Sequence, residues 1–127
     1  MSKRILIVDD HEDIGFLLKQ HLARAVNRYE VETARSGEEA LAALATQAFD
    51  LVITDLQMPG MDGLALIQQV RKRYSGTSLI LMTCHGDRGI KAAALRLGAC
   101  GQLTKPFCGS ELLAMVQMAF SRPGTPE

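Results

Sequence analysis

Five short apolar runs alternate with five stretches of helical periodicity, and this alternation limits the fold more than any other feature of the sequence. The runs begin at Ile5, Tyr29, Leu51, Ser78 and Gly101. Each is followed by a segment whose apolar residues recur at the spacing of a helix packed on one face. Repeated strand–helix units predict an α/β domain with a parallel sheet and helices on both of its faces.

The polarity of the five runs predicts the order of the strands. Residues 5–8, 51–54 and 78–83 are almost wholly apolar, which is typical of central strands buried on both faces. Residues 29–34 alternate and residues 101–105 are more polar, as expected at the edges of a sheet. The pattern therefore predicts a flavodoxin-like, doubly wound sheet of five strands in the order 2-1-3-4-5, with five helices.

The helices have recognisable starts and ends. Ser36 and Glu39 form a predicted capping box, and Gly76 is expected to follow the C-terminal end of the third helix. The five predicted helices span 12–26, Ser36 to about Ala48, Asp62 to about Tyr74, Asp87 to Gly98, and Ser110 to Phe120. Leu17 of the first helix and Ala48 of the second are expected to face the core.

Length and composition favour one small domain. The chain has 127 residues, which suits a single core, and we expect the domain at 1–121 and a tail or the start of a linker at 122–127. The 14 basic and 14 acidic side chains balance, which argues against direct nucleic-acid binding. No apolar run is long enough to span a membrane. Three cysteines without Cys-x-x-Cys spacing predict reduced thiols and a cytoplasmic protein.

Five chemically active side chains follow the predicted strands. They are Asp9, Asp10, Asp55, Thr83 and Lys105. Because ligands of doubly wound sheets bind at the carboxyl ends of the strands, we expect all five to meet at one site.

Three carboxylates that lie close together raise one another's pKa unless a cation is present. Hard carboxylate oxygens suit Mg²⁺ or Mn²⁺. Together with the charge of Lys105 and the hydroxyl of Thr83, they supply what phosphoryl transfer to Asp55 requires. The alternative is a solvated strand end in which Lys105 only forms salt bridges.

The same residues stand in motifs that resemble the receiver domain of two-component response regulators, over roughly residues 3–121. In chain order the motifs are Ile-Leu-Ile-Val-Asp9-Asp10, Thr-Asp55-Leu-Gln-Met-Pro-Gly-Met-Asp-Gly, Leu-Met-Thr83 and Leu-Thr-Lys105-Pro106-Phe107. The resemblance implies that Asp55 accepts a phosphoryl group from a sensor histidine kinase.

The resemblance also implies further roles in the site. Asp9, Asp10, Asp55 and the backbone carbonyl of Gln57 would bind Mg²⁺. Lys105 would contact the phosphoryl group, Thr83 would move to hydrogen-bond it, and the peptide before Pro106 would be cis.

Two features depart from the resemblance or modulate it. Gln102 stands where receivers often carry Tyr or Phe, so an aromatic side chain cannot couple to Thr83 here. Gln57 and His85 follow Asp55 and Thr83 by two residues. They either control the access of water to the phosphoryl group or are polar loop residues without a kinetic role.

Other candidate residues have plainer interpretations. We expect His11 at the rim of the site and His21 packed on the first helix. A zinc site of Cys84, His85 and Cys108 lacks the spacing of structural zinc motifs. The last helix is apolar nearly all round, which predicts a surface with helix four and strand five for an output partner or a homodimer. The alternative is a well-covered core helix with a few stray apolar residues.

Two functions compete. The first is a phosphorylation-controlled signalling switch that is not an enzyme. The second is a Mg²⁺-dependent phosphohydrolase with an aspartyl nucleophile, but Gln57 stands where such enzymes need an acid. A nucleotide-binding role is disfavoured, because the turn after Asp10 has no glycine-rich phosphate cradle.

Overall fold

The computed structural model describes residues 3–25, 29–84 and 88–121. Within them, strands and helices alternate as the sequence predicts. The elements are β1 (Arg4–Val8), α1 (Glu12–Ala23), β2 (Glu30–Ala34), α2 (Gly37–Thr46), β3 (Leu51–Asp55), α3 (Gly63–Arg73), β4 (Ser78–Thr83), α4 (Arg88–Leu97), β5 (Gly101–Thr104) and α5 (Gly109–Ser121). None of the described helices has both the length and the apolar character needed to cross a bilayer.

All five strands are parallel and lie in the order β2-β1-β3-β4-β5, which confirms the predicted topology. The side chains of β1, β3 and β4 are almost entirely buried, whereas β2 and β5 carry exposed positions at the two edges. The register pairs Val8 with Thr54, Asp55 with Met82, and Thr83 with Thr104. The carboxyl ends of β1, β3, β4 and β5 therefore lie along one edge of the sheet.

Each face of the sheet carries its own apolar core. On one face, α1 and α5 contribute Leu22, Leu112 and Val116 to a cluster with the odd-numbered residues of β1. On the other face, α2, α3 and α4 pack on Leu6, Val8 and Val52, with further buried side chains at Ala40, Leu44, Leu66, Ile67, Val70 and Ala94. The two cores fix the central strands, and hence the residues at their ends.

Side-chain caps define two helix starts as predicted. The Ser36 hydroxyl accepts a hydrogen bond from the backbone N–H of Glu39 at 3.0 Å. The Asp62 carboxylate accepts one from the N–H of Ala65 at 2.8 Å. Helix α3 ends at Arg73 with Tyr74 as its C-cap, so Gly76 follows the helix but does not cap it. Gly98, which the sequence predicts to stop the fourth helix, has a left-handed φ of +115° after α4.

Three predictions about the helices need correction, and two others concern residues outside those that the structure describes. Leu17 is 60% exposed, because it lies on the outer side of α1. Ala48 is exposed as well, since α2 ends at Thr46. The first helix ends at Ala23, and the predicted capping residue Asp87 and the tail 122–127 lie outside the described residues.

Candidate functional site

Asp9 and Asp55 are carboxylates held in the interior at the ends of β1 and β3. The side chain of Asp9 is fully buried and that of Asp55 is 9% exposed. One oxygen of each accepts a hydrogen bond from the backbone: Asp9 Oδ1 from the N–H of His11 at 2.8 Å, and Asp55 Oδ1 from the N–H of Leu56 at 3.0 Å. These bonds fix the direction of both carboxylates.

Lys105 joins the two carboxylates from the neighbouring edge of the sheet. Its Nζ lies 3.4 Å from Asp9 Oδ2 and 3.2 Å from Asp55 Oδ1. The Lys105–Pro106 peptide is cis, as the resemblance implies. The amine thus supplies a positive charge next to the proposed acceptor.

Asp10 and His11 complete the acidic cluster. Asp10 Oδ1 is buried, yet no described residue donates a hydrogen bond to it. The His11 ring nitrogen Nδ1 lies 3.3 Å from that oxygen and 3.2 Å from Asp9 Oδ1. One ligand atom from each of Asp9, Asp10, His11 and Asp55 lies within 4.8 Å of the other three.

Thr83 ends β4 and is buried. Its carbonyl accepts the backbone N–H of Lys105 at 2.8 Å, so the residue is tied directly to the segment that carries the lysine. Thr83 therefore lies at the same edge of the sheet as the carboxylates, on the next strand.

The turn after β3 borders an open cavity of about 710 Å³ beside the cluster. Asp10, His11 and the exposed Gln57 line it, together with Met58 and Pro59. The turn is held close to the sheet because the N–H of Gly63 donates to the carbonyl of Leu56 at 2.8 Å. This cavity is the open approach to the acidic cluster.

Burial and charge shift the pKa of both central groups. Burial raises the pKa of Asp55 above its ordinary value, the Asp9 carboxylate raises it further, and the ammonium of Lys105 offsets only part of the rise. Burial lowers the pKa of Lys105, but the carboxylates of Asp9 and Asp55 outweigh it, so the net shift is upward. Lys105 thus stays charged, while the negative charge on Asp55 is disfavoured.

These residues fit a hard divalent cation. A buried carboxylate oxygen with no donor is costly unless something positive meets it, and Asp10 Oδ1 is such an atom. A cation among the three carboxylates would also relieve the repulsion that raises the pKa of Asp55. Among the described residues this is the one cluster of metal-binding type, and it includes neither Cys84 nor Cys108. His85, the third residue of the zinc site considered from the sequence, lies outside the residues that the structure describes.

Gln102 occupies the middle of β5, opposite Leu81. Its side-chain oxygen is buried and receives no hydrogen bond from the described residues. The predicted departure from an aromatic residue therefore places an amide in a poorly solvated position beside α4 and α5.

His21 differs from its expected surroundings, whereas His11 does not. His21 is exposed in the last turn of α1, but its ring lies so close to Gly109 that a side chain there would overlap it. His11 is 67% exposed and borders the open cavity, as expected of a residue at the rim, and one of its ring nitrogens also belongs to the acidic cluster. The only sequence signal for this placement is that His11 directly follows two aspartates at a strand end.

The fold and the site together define a doubly wound α/β domain with an acidic cluster and a lysine at the carboxyl edge of its sheet. Residues 5–117 match the response regulator receiver domain family. The chain belongs to this family, and is a receiver domain of two-component signalling.

Curated relatives are longer proteins. The DNA-binding transcriptional regulator NtrC of Salmonella typhimurium is 39% identical over 92% of this chain, which spans 24% of that protein. The alkaline phosphatase synthesis transcriptional regulatory protein PhoP of Bacillus subtilis is 37% identical over 96% of this chain and 50% of its own length. The chain thus spans between a quarter and a half of these relatives.

Solved structures share the whole fold. The chemotaxis protein CheY4 of Vibrio cholerae has a TM-score of 0.88 and 35% identity, with 94% of this chain and 99% of that chain covered. The receiver domain of an HD domain-containing protein from Pseudomonas fluorescens has the same TM-score and 34% identity, with 94% and 95% covered.

Proposed function

We propose that Asp55 is the phosphoacceptor of this receiver and takes its phosphoryl group from the phosphohistidine of a sensor histidine kinase. In this reaction the P–N bond of the phosphohistidine breaks and a P–O bond to an Asp55 carboxylate oxygen forms. The observation that supports the assignment is Lys105 Nζ, which lies 3.2 Å from Asp55 and 3.4 Å from Asp9.

Asp9, Asp10, Asp55 and the backbone carbonyl of Gln57 would hold Mg²⁺, or Mn²⁺ in its place. The support is the close set of carboxylates and the buried Asp10 Oδ1, which accepts no hydrogen bond from the described residues. Bound Mg²⁺ neutralises charge on the phosphoryl oxygens and orients them.

Lys105 and Thr83 carry the roles of stabilising and sensing the phosphoryl group. The fixed ammonium of Lys105 would pair with a phosphoryl oxygen once Asp55 is phosphorylated and its carboxylate oxygen has lost its own charge. The Thr83 hydroxyl would hydrogen-bond another oxygen. The carbonyl of Thr83 accepts a hydrogen bond from the backbone N–H of Lys105. Movement of Thr83 would therefore shift an equilibrium between two arrangements of β4, β5 and the adjoining loops.

Two apolar areas suit partner binding. The α4-β5-α5 face carries Leu95 and Met118, which are 49% and 42% exposed, and we assign it to an output partner, an attached output domain or a homodimer. Its outer side is less apolar than the sequence predicts, because Glu111 and Gln117 of α5 are also exposed. Phe16, 56% exposed on α1, lies outside the α4-β5-α5 face and suits the kinase.

The remaining assignments follow from the same proposal. Residues 1–121 are the receiver domain, and 122–127 are a tail or the start of a linker. The chain acts as a switch, with self-phosphorylation and self-dephosphorylation as its only chemistry, and does not itself bind nucleic acid. A cytoplasmic location is supported by three cysteines without disulfides.

The test is incubation with Mg²⁺ and acetyl phosphate, followed by intact mass. We expect one added phosphoryl group, no adduct with EDTA, and none in Asp55→Asn. Ser36→Ala is a control, because it removes only a helix cap and should be phosphorylated normally. Sustained turnover of a phosphomonoester without a lasting adduct would instead indicate the phosphohydrolase.

A further inference from the structure

His11 places an imidazole nitrogen inside a set of carboxylate oxygens. Its Nδ1 lies 3.2 Å from Asp9 Oδ1 and 3.3 Å from Asp10 Oδ1. One ring nitrogen of His11 also lies within 4.8 Å of a carboxylate oxygen of Asp55. No other described histidine or cysteine belongs to this cluster.

These separations match those of ligands on a shared ion. Two ligands in adjacent positions around a divalent ion at about 2.1 Å are about 3 Å apart. The separations of His11 Nδ1 from the two aspartate oxygens are close to that value. A cation that binds Asp9 and Asp10 would therefore have Nδ1 within reach after a small rotation of the ring.

The ring has room for that rotation, and the interaction that rotation would replace is its own hydrogen bond to Asp9 Oδ1 at 3.2 Å. The His11 side chain is 67% exposed and borders the open cavity. His11 is the N-cap residue of α1, but its side chain makes no capping hydrogen bond. Movement of the ring would therefore not remove a helix cap.

We propose that His11 Nδ1 is a ligand of the cation at this site, and that it makes this receiver favour borderline ions such as Ni²⁺ over Mg²⁺. Imidazole nitrogen binds Ni²⁺, Zn²⁺ and Cu²⁺ well, whereas Mg²⁺ prefers oxygen. Adding one imidazole to a set of carboxylates therefore raises the affinity for the borderline ions more than the affinity for Mg²⁺. The inference rests on the proposed function, because it takes the acidic cluster to be a metal site.

Calorimetric titration of tag-free protein with Mg²⁺ and with Ni²⁺ tests the inference at pH about 8, where free imidazole is neutral. The proteins are the wild type, His11→Ala, Asp10→Asn and the control His21→Ala, which removes an imidazole outside the cluster. Even partners that only orient a ligand change metal affinity by 10–100-fold, so His11→Ala should weaken Ni²⁺ binding by at least about tenfold. Its Mg²⁺ affinity should change by less than about twofold.

The outcomes separate the two claims. Weaker Ni²⁺ binding with retained Mg²⁺ binding in His11→Ala alone supports the nitrogen ligand. Equal losses for both ions, or a Ni²⁺ affinity that does not change, would overturn it while leaving the acidic site intact. Asp10→Asn should lose both ions. A wild type that binds neither ion would contradict the proposed function as well.

Discussion

Gly63 provides a stringent test of how the site is held, because its exchange for alanine should strongly destabilise the protein. A Cβ at this position would overlap the carbonyl oxygen of Asp55 and lie 2.9 Å from the Cα of Leu56. Both are backbone atoms of the strand end that carries the acceptor, so no side chain can rotate away. The start of α3 would have to move from β3.

The expected magnitude combines three effects. Overpacking costs about 1–3 kcal/mol, and loss of the hydrogen bond from Gly63 to Leu56 costs a further amount of about 1–3 kcal/mol. The higher helix propensity of alanine offsets about 1 kcal/mol of this loss, because Gly63 is the first residue of a helix. We therefore expect a net loss of about 3 kcal/mol in the free energy of unfolding, a large part of the 5–15 kcal/mol or so that is usual for a domain.

Urea unfolding of Gly63→Ala beside Gly76→Ala measures this loss. A Cβ at Gly76 would meet nothing within 4 Å, so this control should range from no change to a gain of about 1 kcal/mol. Equal free energies of unfolding in the two variants would refute the argument that close approach at Gly63 positions the turn.

Three further changes test the electrostatics and the polar groups of the site. Asp55→Asn should stabilise the protein in EDTA near neutral pH, because burial and Asp9 raise the pKa of Asp55 in the folded state. When the pKa of a carboxyl is higher in the folded than in the unfolded protein, the free energy of unfolding falls as the pH increases above the unfolded pKa, which is 3.8 here. In urea titrations the gain should therefore shrink towards about pH 4, and a gain that grows in acid would contradict this sign. Gln102→Leu should stabilise by about 1 kcal/mol in thermal unfolding, since it removes a buried oxygen without a donor; a lower melting temperature would show that the amide is satisfied. Asp10→Ala should abolish Mg²⁺ binding in calorimetry, and an unchanged affinity would count against the acidic cluster.

The topology was predictable because the burial of a strand determines how apolar its residues are. β1, β3 and β4 are buried on both faces and are apolar throughout, so their central places followed from the sequence. The site followed from the topology, since parallel strands bring their carboxyl ends to one edge. The pairing of Lys105 with Asp9 and Asp55 is a consequence of that arrangement.

Helix ends were less predictable, because apolar spacing does not show where a helix stops. Ala48 fits the period of α2 but lies beyond its end and is exposed. Gly76 and Gly98 look equally suited to follow a helix, yet only Gly98 has a left-handed backbone. Which glycine takes this role depends on how the chain returns to the sheet, as when the N–H of Cys100 pairs with the carbonyl of Leu79.

The direction of the His11 ring was the least predictable feature of the site. Sequence adjacency puts the residue beside Asp10, but the direction of its ring depends on the turn from β1 into α1. That turn is set by the hydrogen bond from the His11 N–H to Asp9 Oδ1, which brings Nδ1 back over the same carboxylate. Such a local backbone geometry has no signature in residue spacing.

The central claim is that the phosphoryl group forms an acyl phosphate with one particular carboxylate among three close neighbours. Reduction of the phosphorylated protein with borohydride converts an aspartyl phosphate into homoserine, and peptide mass spectrometry then locates the converted residue. We predict homoserine at position 55 and none at Asp9 or Asp10, with the signal dependent on Mg²⁺ and on the phosphodonor. Homoserine at position 9 or 10, or no conversion in a protein that carries the phosphoryl group, would contradict the assignment of Asp55.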